Sequence, residues 1–153
     1  INLATIYRPL NNFFLNPFME YLRKKYICKN QIKKGLAGIR HTVDFLNQNF
    51  SIALMIDQRV SEGKRLSFFN RKALTSTLPA QLALKYGYKI VPIYISRLKN
   101  DNFKMEIYKP LIIKKTKNTE INKTKISLLL NKMLEKMILR DPSQWILTHN
   151  RWK

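Results

Sequence analysis

The sequence predicts an α/β fold in which a mostly parallel or mixed sheet is flanked by helices. Short apolar segments typical of buried strands alternate with segments whose apolar residues recur every three or four positions, as in helices. Hydrophobic residues make up 45% of the 153 residues, which excludes a disordered chain despite the high charge. The length suits one core, so residues 1–153 are predicted to form a single domain.

The chain opens on a predicted strand and helix. Residues 3–7 are predicted to form a strand that stops at Pro9, which cannot continue a strand ladder. Asn16 can cap a helix that has Pro17 at its first position. The predicted buried face of this helix consists of Phe18, Leu22 and Tyr26.

A second helix and a second strand follow. The helix is predicted from apolar residues at spacings of three and four: Leu36, Ile39, Val43 and Leu46. Residues 51–56 are apolar throughout, as in a parallel strand covered on both faces. Asp57 comes directly after this segment, and a basic loop follows. The bases of that loop are Arg59, Lys64, Arg65 and Arg71.

The second half of the chain predicts two helices and two strands. Thr75, Ser76 or Thr77 can cap a helix that has Pro79 in its first turn and Gly87 at its end. Residues 89–95 form an apolar segment, and residues 102–108 alternate, as a half-exposed strand does. A long amphipathic helix is predicted from one apolar stripe: Ile126, Leu129, Leu130, Met133, Leu134, Met137 and Ile138.

The net charge of +20 indicates polyanionic partners, which include nucleic acid, anionic lipid and acidic protein. The competing interpretation is an ordinary solvated surface from a lysine-rich proteome. Cys28 is the one cysteine, which favours a reducing compartment. No apolar run approaches the roughly 20 residues that span a bilayer. The opening strand has no polar lead-in, and we expect this chain to continue a longer protein.

Several site types are excluded by the residues present. The four glycines form no dinucleotide or phosphate loop, and two histidines with one cysteine predict no metal site. Neither His41 nor His149 has an acid five residues on. His41 is expected to be a surface or half-buried histidine, and His149 is expected in a structural position between Trp145 and Trp152. The bases are spread over every segment without a nucleic-acid signature, so no nucleic acid is predicted as a partner.

Asp57 and Arg8 are the candidate site residues that the strand pattern itself provides. Each follows a predicted strand, and ligands of parallel sheets gather beyond the carboxyl ends of strands. The two side chains are therefore expected to face one crevice. Asp57 could instead cap a turn or pair with Arg59, and Arg8 could be a surface base beside Pro9.

Several blocks of the sequence, in order, resemble the C-terminal part of the lipid A biosynthesis acyltransferases of Gram-negative bacteria. The residues that carry the resemblance are Tyr7-Arg8-Pro9, Asn12, Asn16-Pro17, Asp57-Gln58, Phe68-Phe69, Thr75 to Thr77, Pro79, Val91-Pro92, Gln144-Trp145, His149, Arg151, Trp152 and Lys153. The resemblance implies a glycerolipid-acyltransferase-like fold, here truncated at its N-terminus. It also implies transfer of a lauroyl or myristoyl chain from acyl carrier protein to a lipid A precursor, at the cytoplasmic face of the inner membrane.

The same resemblance implies roles for individual residues. The general-base histidine of a His-x-x-x-x-Asp/Glu motif is expected before Ile1. Asp57 would organise the crevice or bind the glycolipid head, and Arg8 would hold a phosphate or the oxyanion side of the donor. The remaining predicted contacts to glycolipid, anionic membrane or acyl carrier protein are Arg23, Arg59, Lys64, Arg65 and Arg71. No bound cofactor is expected, since the acyl carrier protein thioester is the donor.

A second hypothesis keeps the basic α/β fold without catalysis. Such a module would bind nucleic acid or an anionic membrane. The sequence does not give the acyl chain length, the hydroxyl that is acylated or the oligomeric state.

Overall fold

A computed structural model describes residues 1–114, 116–146 and 150–152, together with their side chains except that of Leu36. Contacts between Cα atoms divide the chain into two compact units, Ile1–Met55 and Ile56–Lys153. Helices and small sheets occur in both units, so the predicted α/β class is confirmed. The prediction of a single domain stays a prediction.

The first unit is built on a three-stranded parallel sheet. Strand β1 (Leu3–Tyr7) lies between β2 (Asn30–Lys33) and β3 (Ser51–Ala53), and the chain order is β1, α1, β2, α2, β3. The bounds of β1 are those predicted, and the parallel pairing is confirmed. Strand β2 was not predicted, because its residues Asn-Gln-Ile-Lys carry only one apolar side chain.

Helix α1 (Leu15–Tyr26) begins two residues earlier than predicted. Its first amides are held by Asn12 rather than Asn16, because the Asn12 Oδ1 accepts from Phe14 N at 3.0 Å and from Leu15 N at 3.1 Å. The predicted buried face was wrong for Phe18 and Tyr26, which are 57% and 70% exposed. Phe18 lies on the opposite side of the helix from the half-buried polar residues that contact β1 and β2, whereas Tyr26 lies between the two sides.

Helix α2 (Leu36–Asn47) confirms the second predicted helix. Gly38 permits its close approach to β2, since a Cβ atom there would lie 1.9 Å from the Lys33 carbonyl oxygen. Strand β3 is shorter than predicted and ends at Ala53. It pairs only with Leu3, Ala4 and Thr5 of β1, so the hydrogen-bonded ladder stops before Asp57.

The second unit opens with an antiparallel hairpin where a basic loop was predicted. Strands β4 (Lys64–Phe68) and β5 (Arg71–Thr75) are joined by Phe69 and Asn70, whose φ angles are 48° and 59°. Two positive φ angles in a two-residue connection are the signature of a type I′ turn, whose twist matches the paired strands. The usual Asn-Gly signal is missing from the sequence, so the turn was not predicted.

Helix α3 (Leu78–Tyr86) and a second hairpin follow. The helix begins after Thr77 with Pro79 in its first turn and ends at Gly87 in the left-handed conformation, as predicted. Strands β6 (Ile93–Arg97) and β7 (Phe103–Ile107) are antiparallel. The alternating residues of β7 are exposed, and β6 begins later than the apolar segment predicted.

Helix α4 (Thr119–Arg140) organises the second unit. Ile126 and Leu130 pack with Ala80 of α3, and Ile138 packs with Phe68 and Ala73 of the first hairpin. The predicted core stripe is therefore confirmed at these positions, whereas Leu129 is 40% exposed. Within the described ranges, none of the helices combines the length and apolarity required to span a bilayer.

Candidate active site

Arg8 lies at the carboxyl edge of the parallel sheet of the first unit. It follows β1 directly, its side chain is exposed, and no hydrogen bond or ion pair to it is seen among the described residues. The neighbouring strand β2 ends at Lys33, which is in register with Tyr7. Lys34 follows, and its amide donates to the Tyr7 carbonyl oxygen at 2.9 Å. Basic side chains at adjacent strand ends suit this edge to an anionic ligand.

A polar network lies beside this edge. The Tyr7 hydroxyl donates to Glu20 Oε1 at 2.7 Å, Asn16 Nδ2 donates to the same oxygen at 2.8 Å, and Lys33 Nζ is 3.3 Å from it. Burial and the hydrogen bond to Glu20 raise the pKa of Tyr7 to about 12. The hydrogen bond from Tyr7, followed by that from Asn16, lowers the pKa of Glu20. The network therefore holds a neutral phenol against a carboxylate.

Arg23 completes the same network from α1. Its guanidinium carbon lies 5.2 Å from the centre of the Tyr7 ring, a cation–π distance. Its Nη1 atom is shielded from solvent and has no hydrogen-bond partner among the described residues. Of the basic residues predicted to bind substrate, Arg23 thus has an unused donor close to the strand that Arg8 follows.

Asp57 belongs to the second unit and lies in a bend, not at the end of a strand. Its main-chain carbonyl accepts a hydrogen bond from Arg151 Nη1 at 3.3 Å. Its carboxylate is half-buried and forms no hydrogen bond or ion pair with the described residues of that unit. The backbone is therefore fixed while the acid itself has no partner there. Arg8 and Asp57 lie in different units, and their sharing a crevice stays a prediction.

Arg151 is the most buried charged side chain beside Asp57, at 1% exposure. Its Nη2 donates to Asn131 Oδ1 at 3.1 Å and to Thr75 Oγ1 at 3.4 Å, and Asn131 Nδ2 donates to the Ser67 carbonyl oxygen at 2.8 Å. Burial lowers the pKa of Arg151, and the carboxylates of Asp57 and Glu135 act in the opposite direction. Arg151 thus ties the Asp57 backbone to the hairpin and to α4.

An aromatic cluster encloses this arginine. The guanidinium carbon lies 4.0 Å from the centre of the Phe68 ring, which is fully buried. Trp152 stacks on Phe68 at 5.8 Å between ring centres, and its Nε1 donates to the Phe68 carbonyl oxygen at 3.2 Å. Trp145 meets Phe68 edge-on, also at 5.8 Å. The residues flanking Arg151 and the hairpin are therefore packed as one piece.

The basic residues predicted in the loop are distributed over the β4–β5 hairpin and the bend before it. All four, Arg59, Lys64, Arg65 and Arg71, are exposed. Lys64 Nζ donates to Thr124 Oγ1 at 2.8 Å, and the Arg71 guanidinium lies 5.9 Å from the Trp152 ring centre. Arg59 and Arg65 have no such partner among the described residues. Their assignment to substrate stays a prediction.

His41 forms no hydrogen bond or ion pair with an acid among the described residues. His41 is exposed on α2, as predicted, and lines a shallow hollow with Asp44, Phe45 and Gln48. His149 lies outside the described residues. Within the ranges that the structure describes, no three His, Cys, Asp or Glu side chains group as metal ligands would.

Arg151 and Asn131 are the residues near Asp57 to which sequence reasoning gave no role. Arg151 was named only among the residues that carry the family resemblance, and Asn131 was not considered. The one available signal was a polar residue, Asn131, within an apolar helical stripe. A buried polar side chain in such a position requires partners, and here they are Ser67, Thr75 and Arg151.

Comparison with known proteins gives one family-level result. The model of the family described as bacterial lipid A biosynthesis acyltransferase matches residues 2–153. No curated protein matches the sequence significantly. The family match covers both units and all the candidate residues above.

Proposed function

This chain belongs to the bacterial lipid A biosynthesis acyltransferase family, and we propose that it transfers a fatty acyl chain from acyl carrier protein to a hydroxyl group of a lipid A precursor. The observation that carries the proposal is the family match over residues 2–153. The proposed location is the cytoplasmic face of the bacterial inner membrane, where an acidic carrier protein and anionic lipids are both present.

The proposed reaction is a thioester-to-ester exchange that requires no cofactor. The acceptor hydroxyl oxygen bonds to the acyl carbon, the bond from that carbon to sulfur breaks, and the carrier thiol leaves with a proton. General-base removal of the hydroxyl proton contributes about 10²–10⁴-fold in such reactions. His41 has a leucine, Leu46, five residues on, and the proposal assigns this proton transfer to no residue of the chain.

Supporting roles are proposed for Arg8 and Asp57. The planar donors of Arg8 suit a phosphate of the acceptor or the oxyanion that forms on the donor carbonyl. Its exposure and its place after β1 support this role. Asp57 is proposed to orient the glycolipid head, because its carboxylate has no hydrogen-bond partner within its described unit while its backbone is held by Arg151.

Electrostatic attraction is proposed to concentrate both substrates on the protein. Lysine and arginine number 29 against nine acids, and the acyl carrier protein, lipid A precursor and cytoplasmic leaflet are all anionic. A basic residue near an anionic leaflet contributes about 1 kcal/mol of attraction. The exposed bases of the first hairpin and the half-buried Arg23 are the proposed contacts.

The test is an acyl transfer assay with the complete gene product. Lauroyl- and myristoyl-acyl carrier protein are each supplied with a lipid A precursor, and the lipid products are weighed by mass spectrometry. The proposal predicts a precursor heavier by one acyl group and stoichiometric release of carrier thiol. A protein that binds precursor vesicles but gives no acylated product with any thioester donor would instead be a non-catalytic module.

A further inference from the structure

Helix α1 presents aromatic side chains away from the sheet of its own unit. Phe14, Phe18 and Tyr21 recur at intervals of four and three, which places them on one side of the helix. They are 90%, 57% and 57% exposed, and Phe13 beside them is 85% exposed. We refer to these four residues as the aromatic stripe. No residue of α1 is buried.

The opposite side of the same helix is polar and faces the sheet. Asn16, Glu20 and Arg23 are half-buried, and they form the hydrogen bonds and the cation–π contact with Tyr7 described above. An amphipathic helix of a water-soluble domain normally buries its apolar side and exposes its polar side. Helix α1 departs from this rule, because its aromatic stripe is exposed while these polar side chains are half-buried together with Met19 and Leu22. The stripe therefore suits an apolar environment outside the unit.

Basic residues follow the aromatic stripe. Lys25 continues the same side of the helix, and its Nζ lies 5.7 Å from the Tyr21 ring centre and 5.1 Å from that of Tyr26. Lys24 and Lys29 are exposed nearby. Glu20 is the helix's one acid, and it is engaged on the side that faces the sheet. Aromatic rings beside lysines that reach outward along them are typical of helices lying in a membrane interface.

We propose that α1 lies in the headgroup region of an anionic bilayer, with the phenylalanines of the aromatic stripe among the acyl chains and Lys24, Lys25 and Lys29 on lipid phosphates. This proposal rests on the proposed function and names the helix that would contact the membrane. It places the Arg8 edge of the sheet in the unit that contacts lipid. A second copy of the chain is a poorer occupant. Pairing two such faces would bring like charges together without an acid to compensate them.

The first test compares matched phenylalanine variants of the full chain in vesicle sedimentation. Phe14→Ser/Phe18→Ser alters the aromatic stripe, whereas Phe103→Ser removes a phenylalanine of similar exposure, 60%, from strand β7. With vesicles of phosphatidylethanolamine and phosphatidylglycerol, the double variant should bind at least tenfold more weakly and Phe103→Ser within twofold of wild type. Part of the wild-type binding should persist in 0.5 M NaCl, since apolar insertion is not screened by salt.

A second measurement keeps the proposal testable if another segment also binds lipid. In a Cys28→Ser background, an environment-sensitive fluorophore is attached at Phe18→Cys or Phe103→Cys. Addition of vesicles should shift the emission of the fluorophore to shorter wavelength at position 18 but not at position 103. No shift there, equal losses for both serine variants, or wild-type binding abolished by salt would overturn the proposal.

Two controls separate this proposal from dimerisation through the aromatic stripe and from the proposed acyltransferase function. If the wild type is a dimer by light scattering without lipid and Phe14→Ser/Phe18→Ser makes it monomeric, the stripe is a contact between copies and the proposal is wrong. Acyl transfer in detergent micelles tests the proposed function independently. If the wild type transfers no acyl chain but the fluorophore at position 18 still inserts into vesicles, the proposed acyltransferase function is contradicted. The proposal that α1 lies in the bilayer is not.

Discussion

The two units use similar side chains in opposite ways. In the first unit, aromatic residues precede or lie on a basic helix and remain exposed, with Phe14 at 90%. In the second unit, the aromatic residues around Arg151 form an enclosed cluster in which Phe68 is fully buried. The difference lies in the polar partners: the second unit supplies hydrogen-bond acceptors inside the cluster, whereas the first directs its polar side chains to the sheet.

Arginine shows the same contrast. Arg151 has three acceptors and an aromatic face fixed around it, whereas Arg8 has no hydrogen-bond or ion-pair partner among the described residues. The two Nη atoms of Arg151 are both engaged by the protein, although its buried Nε has no partner among the described residues. The exposed donors of Arg8 are open to a ligand. Arg151 therefore holds the Asp57 backbone, and the contrast supports the proposal that Arg8 binds anions.

The largest loss of stability is expected for Arg151→Ala. The change leaves the Asn131 and Asp57 carbonyl oxygens without their donor and opens space beside Phe68. Together these effects should lower the free energy of unfolding by about 3 kcal/mol. Chemical denaturation followed by tryptophan fluorescence measures it. Arg71→Ala, which removes an exposed arginine above Trp152, is the control and should cost about 0.5 kcal/mol. Equal losses of unfolding free energy for the two variants would contradict the distinction between the buried Arg151 and an exposed arginine.

A smaller loss is expected for Glu135→Ala. Glu135 Oε1 accepts from the Phe69 amide at 2.7 Å and so holds a turn residue that has a positive φ. The loss should be about 1.5 kcal/mol, because a charged acceptor is removed from a strained turn. Thermal unfolding of the variant checks it against Glu62→Ala, whose side chain is exposed. If both variants unfold like wild type, the turn does not depend on α4.

The smallest effect is expected for Tyr7→Phe in the first unit. Its hydrogen bond to Glu20 is partly exposed, so the loss should be about 1 kcal/mol at neutral pH. The sharper measurement is the carboxyl titration of Glu20 by NMR. Removing the hydroxyl should raise the pKa of Glu20 from its lowered value toward the ordinary one. An unchanged titration would show that Asn16 and Lys33 suffice.

The pH dependence of this network has a defined sign. The pKa of Glu20 is lowered in the folded protein, so its stabilisation is present above its unfolded pKa and is lost as the pH falls. The pKa of Tyr7 is raised from 10.0 to about 12, so its contribution is lost as the pH rises through that interval. Urea unfolding across pH should show that wild type loses stability both at acidic and at strongly alkaline pH. Tyr7→Phe should lose stability only at acidic pH, and by a smaller amount.

The sequence predicted those elements whose signals are local. Pro9, Gly87 and the spacing of apolar residues gave the end of β1, the end of α3 and the course of α4. The β4–β5 hairpin was missed because its turn residues, Phe69 and Asn70, are not a standard hairpin pair. The Phe69 amide of this turn donates to Glu135, which is 66 positions away in the sequence.

The site was predictable to the extent that it follows strand ends. Arg8 lies where the pattern predicted it. Asp57 does not directly follow a strand, because β3 pairs with only three residues of β1. The Arg151 contacts join residues up to 94 positions apart, and single-sequence patterns carry no information about such pairing. Phe18 of α1 was wrongly predicted to be buried. The spacing of apolar residues shows which side chains share a face of a helix, but not whether that face points to the core.

Acyl transfer by Asp57→Ala in the complete gene product is the most direct test of the proposed site. The variant retains the main-chain carbonyl that Arg151 holds, so its unfolding should match that of wild type. With acyl carrier protein as donor, kcat/KM should fall by about 100-fold, because the acceptor head is no longer oriented, while Asp44→Ala on α2 retains activity. Turnover by Asp57→Ala at the wild-type rate would contradict the account.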